Sequence, residues 1–520
     1  MKYGLDRKTK FYLRTIIRYD FKASITVFFV AIPLCLGISQ ASGAPVYSGL
    51  MAGIIGGLLV AAFSKSPLSV SGPAAGLTAI CAAAIHDLGS LPVFFLAVCL
   101  AGGLQFLLGL LRLGGFTHFI PSAVIKGMLA AIGIILISKQ IPALIGYDKP
   151  EFWSNEFFNI ITFNHVFSNV KSLYHHSAVG AALVALLSLG FLILWKKVIA
   201  RKITFIPDSF ATVLFSIGLT VVLPMLHPSL QLSAGQFVSL PAHLFGSMQW
   251  PDFSMIFHTA AVWKTAVVIC LVATLETLLS IEAIDKLDPY NRITPQNREL
   301  MAQGIGNVVS GIVGGLPITA VIVRSSANAE AGARTRSSAI LHGIWILLAV
   351  LLAVPLINRI PYCVLAVLLI RTGYNLAKPR MIKAVYRQGL EQFMPFVVTV
   401  VAVLFTDLLI GVLIGLVYSI YYLIRHTYKA GYTLRTKKEE GIAVYDIDLA
   451  LNVSFLNKKR IMEMLDAIPS GAVVTINGVD SVYIDNDVLE IFQDFRSKAK
   501  IKNITLTMNG IPEVETLELH

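Results

Sequence analysis

Two charged residues, Glu276 and Arg324, stand within long stretches of sequence that otherwise carry almost no charge. A charge in such surroundings is expensive and usually faces a partner or a pathway for ions. Ser280 follows Glu276 by four residues, so the two share one helix face. A carboxyl group there, balanced between burial and a nearby cation, can carry a proton. Arg324 either adds positive field to an anion site or neutralises a nearby carboxylate, and we favour the first role.

Two apolar segments, residues 66–77 and 314–326, are interrupted by proline and small polar residues. Proline lacks an N–H group and disfavours helix at the residue before it, so each segment is predicted to be an extended piece followed by a half-helix. The first turn of a helix presents unpaired N–H groups and the positive end of the helix dipole. Two such ends that meet within a membrane form an anion site. The alternative is that both segments are proline-kinked helices with a structural role only.

The composition places these segments in a membrane protein. Hydrophobic residues make up 56% of the 520 residues, charged residues make up only 14%, and the mean hydropathy is +0.73. Soluble domains usually contain about 25% charged residues. The chain is therefore predicted to be an α-helical polytopic membrane protein rather than a disulfide scaffold, a disordered chain or a coiled coil. Its basic residues lie mostly in short loops and at span ends, so the net charge of +12 does not indicate nucleic-acid binding.

Apolar stretches predict about fourteen spans, several of which are too short to cross a hydrocarbon core of about 30 Å alone. The interrupted segments lead into the third and the tenth span, which are equivalent positions in two halves of seven. Short, interrupted spans at matching places are the best sequence indication of a transport site in an inverted repeat. The predicted spans are residues 23–39, 46–63, 72–85, 93–111, 123–141, 178–196, 209–226, 263–284, 301–314, 320–331, 339–357, 363–370, 393–408 and 410–424.

Basic residues before the first span and after the last one place both ends of the chain in the cytoplasm, which requires an even number of spans. The predicted organisation is a cytoplasmic segment at residues 1–22, a transmembrane domain at 23–426 and a small cytoplasmic α/β domain at 431–520. The last part has 10 basic and 14 acidic residues, and its apolar pattern alternates strands with helices. The expected location is the inner (plasma) membrane of the cell.

No pattern in the sequence indicates catalysis. The chain has no nucleophile beside a base, no phosphate-binding loop and no set of residues at metal-ligand spacing. The five cysteines lie in apolar stretches, and the pair His175 and His176 falls in a polar connection without further ligands nearby. We therefore expect no enzyme activity, no metal and no cofactor.

Five groups of residues form a pattern along the chain. They are residues 69–73, residues 276–280, residues 303–307 with 314–317 and Arg324, residues 360–361 with 365–366, and residues 406–408 before Gly411. In this order they resemble the SulP family of inorganic anion transporters, and the tail resembles a STAS domain. The resemblance implies a core domain of spans 1–4 and 8–11 and a gate domain of spans 5–7 and 12–14. It also implies elevator-type alternating access within a homodimer.

The resemblance also assigns roles to individual residues. Glu276 matches the acidic position that serves the coupling cation in family members, with Ser280 beside it. Arg324 would support the bound anion. The residues whose backbone would face the anion are Pro73, Ala74, Val321 and Ile322.

Departures from the family pattern bear on the coupling ion and the substrate. Sodium-coupled bicarbonate members have Asp and Thr where this chain has Glu276 and Ser280, and Thr where it has Ile322. Fewer oxygen ligands weaken a sodium site, so the expected coupling ion is H⁺, with Na⁺-coupled bicarbonate transport as the alternative. The first span lacks the Gln that follows Pro33 in many sulfate permeases, so the substrate stays open between sulfate and bicarbonate.

The tail has a departure of its own. Asn486 occupies the position of the phosphorylatable serine in STAS domains of the anti-sigma-antagonist type, so kinase switching is not expected there. A membrane anchor or sensor that signals through the tail is the alternative function from a different class. A nucleobase carrier of the same architecture would need amide or carboxylate side chains to bind a ring.

Overall fold

The protein is described from a computed structural model, in residues 15–115, 120–147, 177–199, 206–241, 246, 248–257, 259–406, 408–429, 431–439 and 442–512. The first fourteen residues with their basic cluster, the connection that contains His175 and His176, and Asp407 of the family pattern lie outside these residues. Helices that correspond to the predicted spans are numbered α1 to α14.

The apolar stretches of the first half of the chain form seven of these helices within the described residues. They are α1 Phe21–Ala41, α2 Val46–Phe63, α3 Ala75–Leu88, α4 Leu91–Leu110, α5 Ser122–Leu144, α6 Val179–Leu194 and α7 Asp208–Leu226. Helices α3 and α6 are short, and the other five are long and apolar enough to cross a membrane. An extended segment, β1 at Ser71–Pro73, precedes α3, as the sequence predicts.

The second half follows the same plan. Its extended segment, β2 at Ile318–Ala320, precedes the short tenth helix. Two further helices, Val354–Ile357 and Pro379–Arg387, lie in the connections. All fourteen predicted spans therefore have a helical counterpart. The helices of this half are α8 Ala260–Asp285, α9 Gln296–Ile312, α10 Ile322–Glu330, α11 Ser337–Leu352, α12 Tyr362–Leu376, α13 Leu390–Phe405 and α14 Leu408–Lys429.

The two extended segments pair with each other. The pairing is antiparallel, with Gly72 opposite Thr319, and the Val321 N–H donates to the Val70 carbonyl oxygen at 3.0 Å. Backbone groups within a membrane must be bonded inside the protein, and the interrupted segments meet this need by bonding each other. Antiparallel pairing is also what a two-fold axis in the membrane plane produces, so it agrees with an inverted repeat. The sequence predicts the extended pieces but not their pairing.

The helices pack in two groups. In the first group, α4 packs against α8 and α9, and α1 packs against α2, α10 and α11. In the second group, α5 packs against α12, and α6 packs against α7 and α12. These groups agree with the core and gate helices that the family resemblance implies. Both half-helices belong to the core, because α10 packs against α1 and the chain before α3 pairs with β2.

The chain divides into two compact units, and the second comprises Gly389–Val398 and Leu413–His520. Beyond α14 it contains one sheet with the order β3–β4–β6–β8, in which β3 is antiparallel to β4 and the other neighbours are parallel. A short parallel pair, β5 with β7, lies apart from this sheet. The elements are β3 Tyr432–Glu439, β4 Ile442–Leu449, β5 Asn452–Val453, α15 Lys458–Asp466, β6 Val473–Asn477, β7 Tyr483–Ile484, α16 Asn486–Ile501 and β8 Thr505–Asn509.

The core of this unit is apolar and follows the predicted pattern. Ile461 and Leu465 of α15 and Phe492 of α16 pack with Val474 of the central strand β6. The α/β architecture that the sequence predicts for the tail is therefore confirmed. Strand β3 is an addition, because its alternation of polar and basic residues gave no apolar signal.

Candidate anion site

A small cavity of about 50 Å³ lies at the first turns of the two half-helices. Ala75 and Gly76 line it from α3, and Val321 and Ile322 line it from the start of α10. Apolar side chains of α1, α5 and α12 close the other sides. One water molecule needs about 10–15 Å³ by this measure, so the space has the scale of a few waters. A solute held here must be small, and it meets the positive ends of two helices.

The structure brings most of the predicted site residues together. Val321, Ile322, Arg324, Glu276 and Ser280 all line this cavity, although they come from two segments more than forty residues apart in sequence. Helix α8 supplies the last two from one face, as their spacing of four residues predicts.

The α3 side of the cavity differs in detail from the prediction. Pro73 ends β1 and Ala74 follows it, while the residues that line the cavity are the next two, Ala75 and Gly76. These two were not singled out from the sequence. The signal was present in the run of small residues after Pro73, because a helix start that presents its backbone to a ligand needs small side chains.

The Glu276 carboxylate lies against the backbone of α3. A methyl group added at Gly76 would come within 2.8 Å of Glu276 Oε2 and 3.0 Å of Oε1. Oε2 is buried and has no hydrogen-bond partner among the described residues, whereas the residue as a whole is half-buried. The carboxylate thus sits at the positive end of α3, where a negative charge is favoured. A bound anion and an ionised Glu276 would compete for this end.

Arg324 belongs to the first turn of α10 and is fully buried. Its guanidinium group turns towards β1 and α1. Nη2 donates to Cys35 Sγ at 3.3 Å, and a methyl group added at Gly72 would come within 2.2 Å of Nη1. Nε and Nη1 have no hydrogen-bond partner among the described residues.

This arrangement leaves the charge of Arg324 without a carboxylate. Among the residues that the structure describes, no ion pair joins Arg324 to Glu276 or to another acidic side chain. A buried positive charge without a counter-ion raises the potential around it, because the surrounding protein screens it poorly. The α10 side of the cavity is therefore positive at all times, from the helix end and from the guanidinium group together.

Side chains of neighbouring helices fix β2 in its extended form. The Asn307 side chain of α9 accepts from the Ile318 N–H at 2.6 Å and donates to the carbonyl oxygen of the same residue at 3.0 Å. It also donates to Gln105 of α4 at 2.7 Å. On α8, the Thr277 hydroxyl oxygen accepts from the Ala320 N–H at 3.3 Å. These bonds anchor the segment that sets where α10 begins.

A second set of buried polar side chains holds β1. Gln303 of α9 donates from Nε2 to Ser71 Oγ at 2.7 Å and to Glu299 Oε1 at 3.0 Å. The Ser64 hydroxyl group donates to the other oxygen of the fully buried Glu299. On α10, Ser325 Oγ accepts from the Val70 N–H at 2.8 Å, which ties the start of one half-helix to the strand before the other.

Two half-helices that begin beside one small cavity, within a bundle of apolar helices, are typical of membrane transporters. The family model described as "Sulfate permease family" matches residues 17–421, and the chain belongs to this family. It is therefore an anion transporter and not an enzyme. The family resemblance that the sequence motifs indicated is confirmed.

Individual relatives agree with this assignment. The chain is 26% identical to the putative sulfate transporter YvdB of Bacillus subtilis, over 96% of this chain and 93% of that protein. It is also 26% identical to the bicarbonate transporter BicA of Picosynechococcus, over 77% of this chain and 69% of the relative.

Solved structures show the same fold. The transmembrane domain of a cyanobacterial BicA matches with a TM-score of 0.63 at 23% identity, over 78% of this chain and 97% of that one. The structure of SLC26A9 matches with a TM-score of 0.72 at 16% identity, over 98% of this chain and 91% of that one. The second match extends over the α/β tail, whose sheet and two helices fit a STAS domain.

Proposed function

We propose that the protein is a proton-coupled secondary transporter of a small inorganic anion, either sulfate or bicarbonate. The substrate class follows the relatives, which include sulfate transporters and a bicarbonate transporter. The position of Glu276 is the observation that supports proton coupling. Its carboxylate lies against Gly76 at the start of α3, in the same cavity as the start of α10.

Protonation of Glu276 provides the coupling. When the carboxyl group is ionised, its charge occupies the positive end of α3 and repels an incoming anion. When it is protonated, that end and the positive field around Arg324 both act on the anion. Proton and anion therefore favour each other's binding, and this mutual effect is reciprocal by thermodynamic necessity. The fully loaded site has a smaller net charge than a site with the anion alone, which favours its movement through the membrane.

Transport proceeds by movement of the core helices against the gate helices. Backbone segments β1 and β2 move with the core as one body, because they pair with each other and are anchored by α8 and α9. Both termini lie in the cytoplasm, as the basic residues at the ends of the spans indicate. The membrane in which the protein resides is the plasma membrane. The functional unit is a homodimer, as the family resemblance implies.

Flux measurements on purified protein in liposomes test the proposal. Uptake of labelled sulfate and labelled bicarbonate is measured with and without an inward proton gradient, and with and without sodium. Sulfate is the cleaner probe, since its charge does not change near neutral pH. We expect a proton gradient to accelerate uptake of one of the two anions without sodium. Uptake that needs sodium and ignores the proton gradient would contradict H⁺ coupling and support the Na⁺-coupled alternative.

A pair of variants on one helix sharpens this experiment. Glu276→Gln should bind the anion but lose the response to the proton gradient. Glu282→Gln is the matched control, because Glu282 lies on the same helix, is half-exposed and pairs with Lys286 at 2.9 Å. It should behave as the wild type does. No flux of either anion with any gradient would reject transport and favour a sensor that acts through the tail.

A further inference from the structure

A second and larger cavity, of about 620 Å³, lies further along the gate helices than the candidate anion site. On α5, Ile132 lines the site and Lys139 lines the larger cavity, seven residues or about 10 Å further on. On α12, which runs the opposite way, Thr372 lines the site and Tyr362 lines the larger cavity. We call this larger space the vestibule. It lies towards the end of α1 at Ala41, which is the outer side if the amino terminus is cytoplasmic.

One positive charge faces the vestibule. Lys139 is the only charged residue among the described residues that line it. No ion pair of Lys139 is present in the described part of the chain. An ammonium group in a cavity with protein walls focuses the field and raises the local concentration of anions.

Two amide side chains beside this charge have oxygen atoms without a hydrogen-bond partner among the described residues. Gln140 is 2% exposed, and its side-chain oxygen has no hydrogen-bond partner among the described residues. The oxygen of Gln40 on α1 is likewise buried without a described partner. By contrast, Gln236 in the same wall donates to the Gly146 carbonyl oxygen at 3.4 Å and accepts from Ser233 at 3.1 Å. Each amide can therefore turn its NH2 group without breaking a protein hydrogen bond of its oxygen, so Gln140 and Gln40 can donate to a polar solute.

The vestibule is also close to the site. Helix α5 lines both spaces, with Ile132 at the site and Lys139 at the vestibule. An anion held at Lys139 is therefore about 10 Å along α5 from the site.

We propose that Lys139, Gln140 and Gln40 form a docking subsite for the transported oxyanion, where it waits before it enters the candidate site. The ammonium group attracts the anion, and the amide N–H groups of the two glutamines donate to its oxygens. This subsite rests on the proposed function, because its ligand is the transported anion. The subsite affects how often the anion reaches the site, and the site itself determines how the anion moves.

Initial rates of anion uptake into liposomes test the subsite, with the sidedness of the protein determined and the ionic strength held constant. Lys139→Gln should raise the KM for anion on the vestibule side by roughly threefold or more, since local enrichment of the anion is lost. Its kcat should stay within about twofold, because the step in the site is unchanged. Lys139→Arg should keep the wild-type KM. The control is Lys126→Gln, on the same helix but away from the vestibule.

A chemical rescue separates charge from packing. Lys139→Cys should show the raised KM. An aminoethyl thiol reagent, which adds a primary ammonium group, should restore it, whereas a sulfonatoethyl reagent should raise it further. The five native cysteines are buried, but Cys363 lines the vestibule, so the wild-type chain treated with both reagents serves as the control. An unchanged KM in Lys139→Gln, with normal wild-type uptake, would overturn the subsite alone. Absence of uptake by the wild type would overturn the proposed function and the subsite together.

Discussion

The two half-helices of the site are built alike but carry opposite charges. Each follows an extended segment of three residues, and the two segments pair with each other. The start of α3 has the Glu276 carboxylate against Gly76, whereas the start of α10 has the buried guanidinium group of Arg324 behind it. The repeated backbone thus supplies two equivalent helix starts with positive dipole ends. The side chains beside them give the two helix starts different charges. One end can change its charge by binding a proton, and the other cannot.

Removal of the Arg324 charge, which does not change with pH, should have the largest effect on anion affinity. Arg324→Ala should weaken anion binding by about 2 kcal/mol, or roughly 30-fold, for charges about 8 Å apart at an effective dielectric constant of about 20. The variant should still fold, since no carboxylate among the described residues is left unpaired by it. Anion affinity is measured by calorimetry in detergent, with Arg298→Ala at the protein surface as the control. An unchanged affinity would mean that the anion binds elsewhere.

Removal of the Glu276 charge, which depends on pH, should strengthen anion binding instead of weakening it. Wild-type affinity for the anion should fall as pH rises, because Glu276 loses its proton and repels the anion. Glu276→Gln should abolish this dependence and bind the anion about tenfold more tightly than the wild type at alkaline pH, a gain of about 1.4 kcal/mol. Affinity is measured across the pH range for both proteins. If the variant still follows pH as the wild type does, another group carries the coupling proton.

A methyl group added to Gly72 of β1 should displace the guanidinium group of Arg324 and so perturb only the α10 side of the site. In Gly72→Ala, Cβ would come within 2.2 Å of Arg324 Nη1, so the end of the arginine side chain must move. Such overpacking costs about 1 kcal/mol at its lower limit, which corresponds to roughly fivefold in affinity if the displaced charge is what the anion needs. Gly103→Ala is the control, because nothing lies within 4 Å of its added methyl group. Equal anion affinities in the two variants would contradict a role of the guanidinium position in anion binding.

The sequence predicts the two half-helices and the two isolated charges, but not the contacts between them. Helix-breaking proline and small residues reveal both half-helices, and isolated charges reveal Glu276 and Arg324, because both signals are local. The contact of Glu276 with Gly76 joins residues two hundred positions apart and depends on how α8 packs against α3. The shift from Pro73 and Ala74 to Ala75 and Gly76 has a similar cause, since it depends on where the first turn of α3 begins.

The orientation of Arg324 shows the same limit. From the sequence alone, a charged residue at a helix start is expected to point into the site. Here glycine at position 72 leaves room for the guanidinium group behind β1, and Cys35 of α1 accepts its hydrogen bond. Neither residue carries a signal in the sequence, because a glycine in a strand and a cysteine in an apolar helix both have common structural roles. Only the packing of three separate segments gives them this function.

The smallest effect should come from the thiol that holds the guanidinium group. Cys35→Ala removes the acceptor of the 3.3 Å bond from Arg324 Nη2 and leaves a buried donor without it. A net hydrogen bond contributes about 0.5–1.5 kcal/mol, and because sulfur is a weak acceptor we expect the lower value, or roughly twofold in anion affinity. Cys35→Ser keeps an acceptor at this position and should recover most of the loss. If alanine and serine weaken binding equally, the thiol contributes through its volume alone, and the guanidinium group is held by the space at Gly72 rather than by this bond.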